Sequence, residues 1–177
     1  MLFLTLVSNP ANLCDMNIDP VLAALNKHKV AYLLIGGVNF QLRHKPIMTY
    51  DIDFWIEDRK ENLVRCEKAM VDLNAEWGKS QEEWGPVANQ KPGWLTEPHE
   101  ICLTSPYCPI NVYKSRKGVD SWASANARGY DGETPGGVKF RGMGDEDTLN
   151  DQYALDEVDR RIERICLLEE LLGKKKT

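Results

Sequence analysis

Residues 33–57 read LLIGGVNFQLRHKPIMTYDIDFWIE, and the order of features in this stretch decides the fold. The apolar run at 30–35 is of strand length and stops at Gly36-Gly37, which predicts a buried strand closed by a glycine turn. Residues 37–44 then predict a helix opened by those glycines, and 51–56 a second strand. In Asp51-Ile52-Asp53 the two-residue period of a strand sends both carboxylates to one face and Ile52 to the other. Two hard oxygen donors converging in this way suit Mg²⁺, which favours a few carboxylates together with substrate phosphates.

Upstream, Asp19 is the expected N-cap and Pro20 the first residue of a short helix ending near His28, with Val21, Leu22 and Leu25 as its apolar stripe. Downstream, Asp58 is the expected cap of a long helix in which Leu63, Cys66, Met70, Leu73 and Trp77 recur at three- and four-residue steps. Residues 78–98 carry Gly, Pro, Gln and Asn with Trp84 and Trp94 among them, and they read as a long loop. Two short strands, at 100–104 and 110–113, flank Ser105-Pro106-Tyr107-Cys108-Pro109 and predict a hairpin. A helix is expected at 121–128, a turn-rich piece at 130–137 and an extended piece at 138–141. Residues 145–172 are expected to be helical, with Val158, Ile162, Ile165, Leu168 and Leu172 on one face. Leu168 and its neighbours could also seal a dimer.

The chain has 177 residues, of which 42% are hydrophobic and 28% charged, the composition of a soluble protein with a single core. Three parts are expected: a tail or extra strand at 1–15, a core at 16–117, and a helical part at 118–177 packed on the same domain. The formal charge of −5 excludes a general polyanion binder, so contact with nucleotide must come from a local basic cluster. Arg43, His44 and Lys45 form one such cluster between the glycines and the aspartates, and Lys114, Arg116 and Lys117 a second. For both, a solvated helix end or loop is the competing reading. The five cysteines show no paired spacing, which argues against zinc and for reduced thiols in the cytoplasm. No stretch approaches the roughly 20 apolar residues of a membrane span.

A glycine pair after a strand also closes ordinary turns, whereas two acids on one face of a strand repel unless a cation or water relieves them. Taken together, Leu34-Ile35-Gly36-Gly37 followed by Thr49 and Asp51-Ile52-Asp53-Phe54 resembles the signature of the polymerase-beta-like nucleotidyltransferase superfamily, and the chain looks most like its small bacterial members. The resemblance implies an α/β (α+β) nucleotidyltransferase fold, with a small mixed sheet flanked by helices and a helical C-terminal part.

It further implies that Asp51 and Asp53 hold Mg²⁺ and that Gly36 and Gly37 present backbone N–H groups to phosphate. Arg43 and Lys45 would reach a triphosphate such as ATP. A third acid is expected on the later hairpin strand, and that position reads Asn111, which neither accepts a proton nor brings charge to a second metal. Glu100 is a substitute carboxylate, with a strand-edge acid as its plainer reading. The expected activity is transfer of a nucleotidyl group from a nucleoside triphosphate to a hydroxyl of a small molecule, protein or RNA. The alternative is a degenerate nucleotide-binding or toxin–antitoxin-type regulatory partner, acting as a homodimer or with a partner protein.

Overall fold

In the computed structural model, which describes residues 16–174, the chain lays helices on both faces of one sheet; the expectation for 1–15 lies outside the described residues. Helix α1 (Asp19–Lys27) buries Val21, Leu22 and Leu25. Its cap position falls on Ile18, so Asp19 is the first helical residue and its carboxylate complements the free N–H groups of the opening turn. Strand β1 (Tyr32–Ile35) is buried along its whole length and runs into α2 (Gly36–Arg43). Strand β2 (Ile52–Ile56) follows, then α3 (Lys60–Asp72), whose cap position is Arg59 instead of Asp58.

Trp77 is no longer helical. Strands β3 (Glu76–Trp77) and β4 (Gly85–Pro86) form a separate two-stranded pair within the long connection. The predicted hairpin is β5 (Glu100–Leu103) and β6 (Ile110–Tyr113), paired antiparallel. Helix α4 (Trp122–Arg128) is capped by the Ser121 hydroxyl, which accepts the Ser124 N–H. The stretch expected to be turn-rich contains a strand, β7 (Tyr130–Glu133), paired with β8 (Lys139–Gly142). Polar and glycine residues hide it from a hydrophobic pattern, because only one face of this edge strand meets the protein: a Cβ on Gly132 would lie 2.3 Å from the Phe140 ring.

The six-stranded sheet has the order β5-β6-β2-β1-β8-β7. The β2/β6 and β1/β8 pairs are parallel and the others antiparallel, so the sheet is mixed as expected. One face carries Leu34, Ile52, Phe54, Ile56 and Val112 against α1 and α3 in the main core. Each such fully buried aliphatic or aromatic side chain contributes roughly 1.5–3 kcal/mol. The opposite face carries the smaller cluster of Leu33, Ile35, Trp55, Ala125 and Met143 beneath α4, so part of that face is left for polar side chains.

The C-terminal part is not one helical face. Helix α5 (Asp145–Ala154) and helix α6 (Ile162–Leu171) are separated by a short 3-10 turn, Glu157–Asp159. Arg160 stabilises the break by donating to the carbonyls of Tyr153 and Leu155, both at 2.9 Å, groups that a helix end leaves unpaired. Val158 and Ile162 consequently face solvent, at 86% and 63% exposure, contrary to the apolar face expected of them. Ile165 and Leu168 do turn inward, packing with Phe40 and Leu149, which joins α2, α5 and α6. Among the described residues no helix is long and apolar enough to cross a membrane.

Candidate active site

Strand register does most of the placing. In the parallel pair β2/β6, Asp53 lies directly beside Asn111, and in the antiparallel pair β1/β2 it lies opposite Ile35, the last residue before the glycines. Ile52 is fully buried, so Asp51 and Asp53 share the opposite face. There the Asn111 side-chain amide donates to both carboxylates, at 2.9 Å to Asp51 Oδ2 and 3.0 Å to Asp53 Oδ1. The three residues predicted to carry the chemistry are therefore brought together.

The glycines are required for two separate reasons. Gly36 has φ +68°, a left-handed conformation that disfavours any Cβ. A Cβ there would also lie 2.0 Å from Asp53 Oδ2. At Gly37 a Cβ would lie 2.4 Å from the Thr49 hydroxyl. The glycine turn thus closes directly onto the aspartates, and α2 opens beside them.

Burial raises the Asp53 carboxyl to about 6; the Asn111 hydrogen bond works against this, the Asp51 charge adds to it, and the Arg116 and Arg164 charges oppose it. Arg116 is held by Asp151 of α5 through Nε–Oδ1 at 2.8 Å and Nη2–Oδ2 at 2.7 Å, and its guanidinium lies 4.6 Å over the Tyr113 ring. This forked ion pair keeps Arg116 above its ordinary value although burial acts the other way. Burial, aided by the neighbouring Arg161 charge, holds Arg164 below its own. These groups surround a cavity of about 770 Å³ whose lining includes Gly36, Gly37, Asp51, Asp53, Arg116 and Arg164. Glu100 and Asn111 line it too, and Glu100 shares the site's face because its register partner is Tyr113.

Arg43 and Lys45 are not brought to this cavity. Helix α2 has eight residues, so at ~1.5 Å per residue its last turn lies roughly 10 Å from the glycines. Arg43 instead pairs with Asp145 at 2.9 Å and stacks 4.1 Å over Tyr130. The cations that do face the aspartates are Arg116, from the second basic cluster, and Arg161 and Arg164 around the start of α6. The last two escaped sequence reasoning because they lie more than a hundred residues from the glycine motif. The one local signal is the cluster of charges around Val158, at Asp156, Glu157, Asp159, Arg160 and Arg161. Trp94 stacks on Trp77 with ring centroids 5.3 Å apart, anchoring the long loop. With Trp84 these rings line a separate cavity of about 820 Å³ that includes none of the motif's glycines or aspartates.

The two carboxylates, side by side on the cavity lining, are the hard oxygen donors that would hold a divalent cation. Among the described residues no group of three or more His, Cys, Asp or Glu side chains could hold a metal.

No family model and no curated sequence matches the chain; its relationships are visible in structure. The fold is similar to that of ANT(2'')-Ia, solved in complex with adenylyl-2''-tobramycin, with a TM-score of 0.59 and 16% identity over 88% of this chain and 87% of the other. The solution structure of the same antibiotic-resistance factor gives 0.54 and 18% over 88% and 82%. TM1012 from Thermotoga maritima, described with the nucleotidyltransferases, gives 0.50 and 18% over 88% and 89%. The chain therefore has the polymerase-beta-like nucleotidyltransferase fold.

Proposed function

We propose that this protein is a Mg²⁺-dependent nucleotidyltransferase that moves a nucleotidyl group from a nucleoside triphosphate to a hydroxyl acceptor. The observation that carries the reading is the meeting of Asp51, Asp53 and Asn111 beside the glycine turn, in a cavity that also presents Arg116 and Arg164. Asp51 and Asp53 would hold Mg²⁺, which when bound neutralises triphosphate charge and polarises the phosphoryl group. Backbone N–H groups at the start of α2 bind phosphate oxygens. Arg164 takes the phosphate role expected of Arg43 and Lys45, since a guanidinium binds phosphate through paired hydrogen bonds; Arg116, whose Nε and Nη2 are held by Asp151, lines the same cavity.

The acceptor oxygen bonds to the α-phosphorus as the bond to pyrophosphate breaks in line with it. Asn111 cannot accept the hydroxyl proton, and Glu100, on the cavity wall and on the face of the sheet that carries the aspartates, takes it. The groups proposed to bind phosphate do not select a base, so ATP and GTP are both suitable probes. The free thiols of Cys66, Cys102, Cys108 and Cys166 suit work in a reducing cytoplasm.

Asn111 favours a second reading, a nucleotide-binding regulatory partner that transfers nothing. The two are separated by incubating the protein with α-labelled ATP or GTP, Mg²⁺ and a panel of aminoglycoside, protein and RNA acceptors. Label transferred by the wild type and lost in Asp51→Asn/Asp53→Asn supports the transferase. A rise in melting temperature with Mg²⁺ and ATP that the double variant lacks, without transfer, supports the regulatory partner. No thermal shift and no transfer in either protein would count against both.

A further inference from the structure

The arrangement around Asn111 bears on how many cations the site takes, and the inference rests on the reading of Asp51 and Asp53 as cation ligands. An asparagine amide nitrogen carries two hydrogens, and here both are used, one for Asp51 Oδ2 and one for Asp53 Oδ1. The two carboxylates are thus held side by side by a neutral donor. One oxygen of each, Asp51 Oδ1 and Asp53 Oδ2, is outside this bridge, and Asp53 Oδ2 lies over Gly36, where no Cβ intrudes.

The charges point the same way. Two carboxylates balance one divalent cation. A carboxylate in place of Asn111 would add a third negative charge and call for further positive charge. In this cavity Arg116 is balanced by Asp151, and positive charge is already covalently fixed on Arg161 and Arg164, with Glu100 and Asp159 on the same lining. Arg116 is clamped by Asp151, so its guanidinium cannot be displaced without breaking a forked ion pair on a buried carboxylate.

We propose that the site takes a single divalent cation with each nucleotide, and that Asn111 is a positioning residue that holds Asp51 and Asp53 as its ligand pair. Arg161 and Arg164 supply the positive charge that a second cation would otherwise bring. Asn111 is neutral, touches both ligands and acts on the cation through them.

The test counts Mn²⁺ bound to the full chain in the presence of α,β-methylene-ATP, an analogue that cannot release pyrophosphate, by the loss of the free-ion paramagnetic resonance signal. The wild type is expected to bind one Mn²⁺ per nucleotide complex and Asn111→Asp two. Asn111→Ala, which adds no charge and guards against a misfolded aspartate variant, is expected to keep one at about tenfold weaker affinity, the usual cost of removing a partner that orients a ligand. Without metal, Asn111→Asp should melt below the wild type and recover on adding Mn²⁺, because three adjacent carboxylates repel. Two Mn²⁺ in the wild type would overturn the single-cation assignment, and one in both the wild type and Asn111→Asp would overturn the role given to Asn111; either result leaves the nucleotidyltransferase reading standing. Wild-type binding no greater than that of Asp51→Asn/Asp53→Asn would overturn both.

Discussion

At Asp53 a charged side chain sits where the fold supplies too little water for it. Burial raises its carboxyl from the ordinary range to about 6, which sets a sign for the pH dependence. A folded-state value above the unfolded one means that the native protein holds the proton more tightly, so the metal-free protein loses stability as pH rises from about 4 to about 6 and is then level. The loss is on the order of 2–3 kcal/mol at most. It is measured by urea unfolding of wild type and Asp53→Asn at pH 4 and pH 7, and the wild type should lose stability relative to the variant across that interval. Equal changes in both proteins would contradict the assigned environment. A divalent cation competes with the same proton, so its affinity should fall below pH 6.

At the scale of elements, the apolar periods of α1, β1, β2 and α3 were readable because each of these elements packs on the main core. The period read through 145–172 was misleading, because it ran across a break. Arg160 closes the carbonyls at the end of α5, and the chain turns before α6 begins. Leu168→Ala should therefore cost roughly 2–5 kcal/mol, since Leu168 is fully buried against Phe40 and Leu149. Val158→Asp should change stability by less than about 0.5 kcal/mol, as expected of an exposed position. Thermal or denaturant unfolding reads both, and a comparable loss at the two sites would restore a continuous apolar face. The β7 strand was missed for the converse reason: an edge strand packed through a glycine carries no alternating apolar signal.

For the molecule as a whole, the break between α5 and α6 has a consequence for the cavity. It brings Arg161 and Arg164 to the cavity, while Arg116 arrives from the segment after β6 and is fixed by Asp151 of α5. Arg164→Ala is expected to raise the Kd for ATP with Mg²⁺ by about tenfold or more, since a hydrogen bond to a charged group contributes roughly 1.5–3 kcal/mol. Arg43→Ala should leave that Kd nearly unchanged, because Arg43 is spent on Asp145 and Tyr130. Calorimetric titration distinguishes them, and the reverse ranking would return the phosphate site to the end of α2.

Residues 33–57 by themselves determined the strand, the glycine turn, the helix and the two convergent aspartates. All of these follow from local periods and from backbone conformations that only glycine adopts readily, and such constraints act within a few residues. That Asn111 would join Asp51 and Asp53 was implied by the family resemblance, but its two hydrogen bonds come from the β2/β6 register. Which cations face the site was decided only in the tertiary structure. A guanidinium on a flexible side chain has no period of its own, and its position depends on where distant helices end and on which carboxylate is buried within its reach.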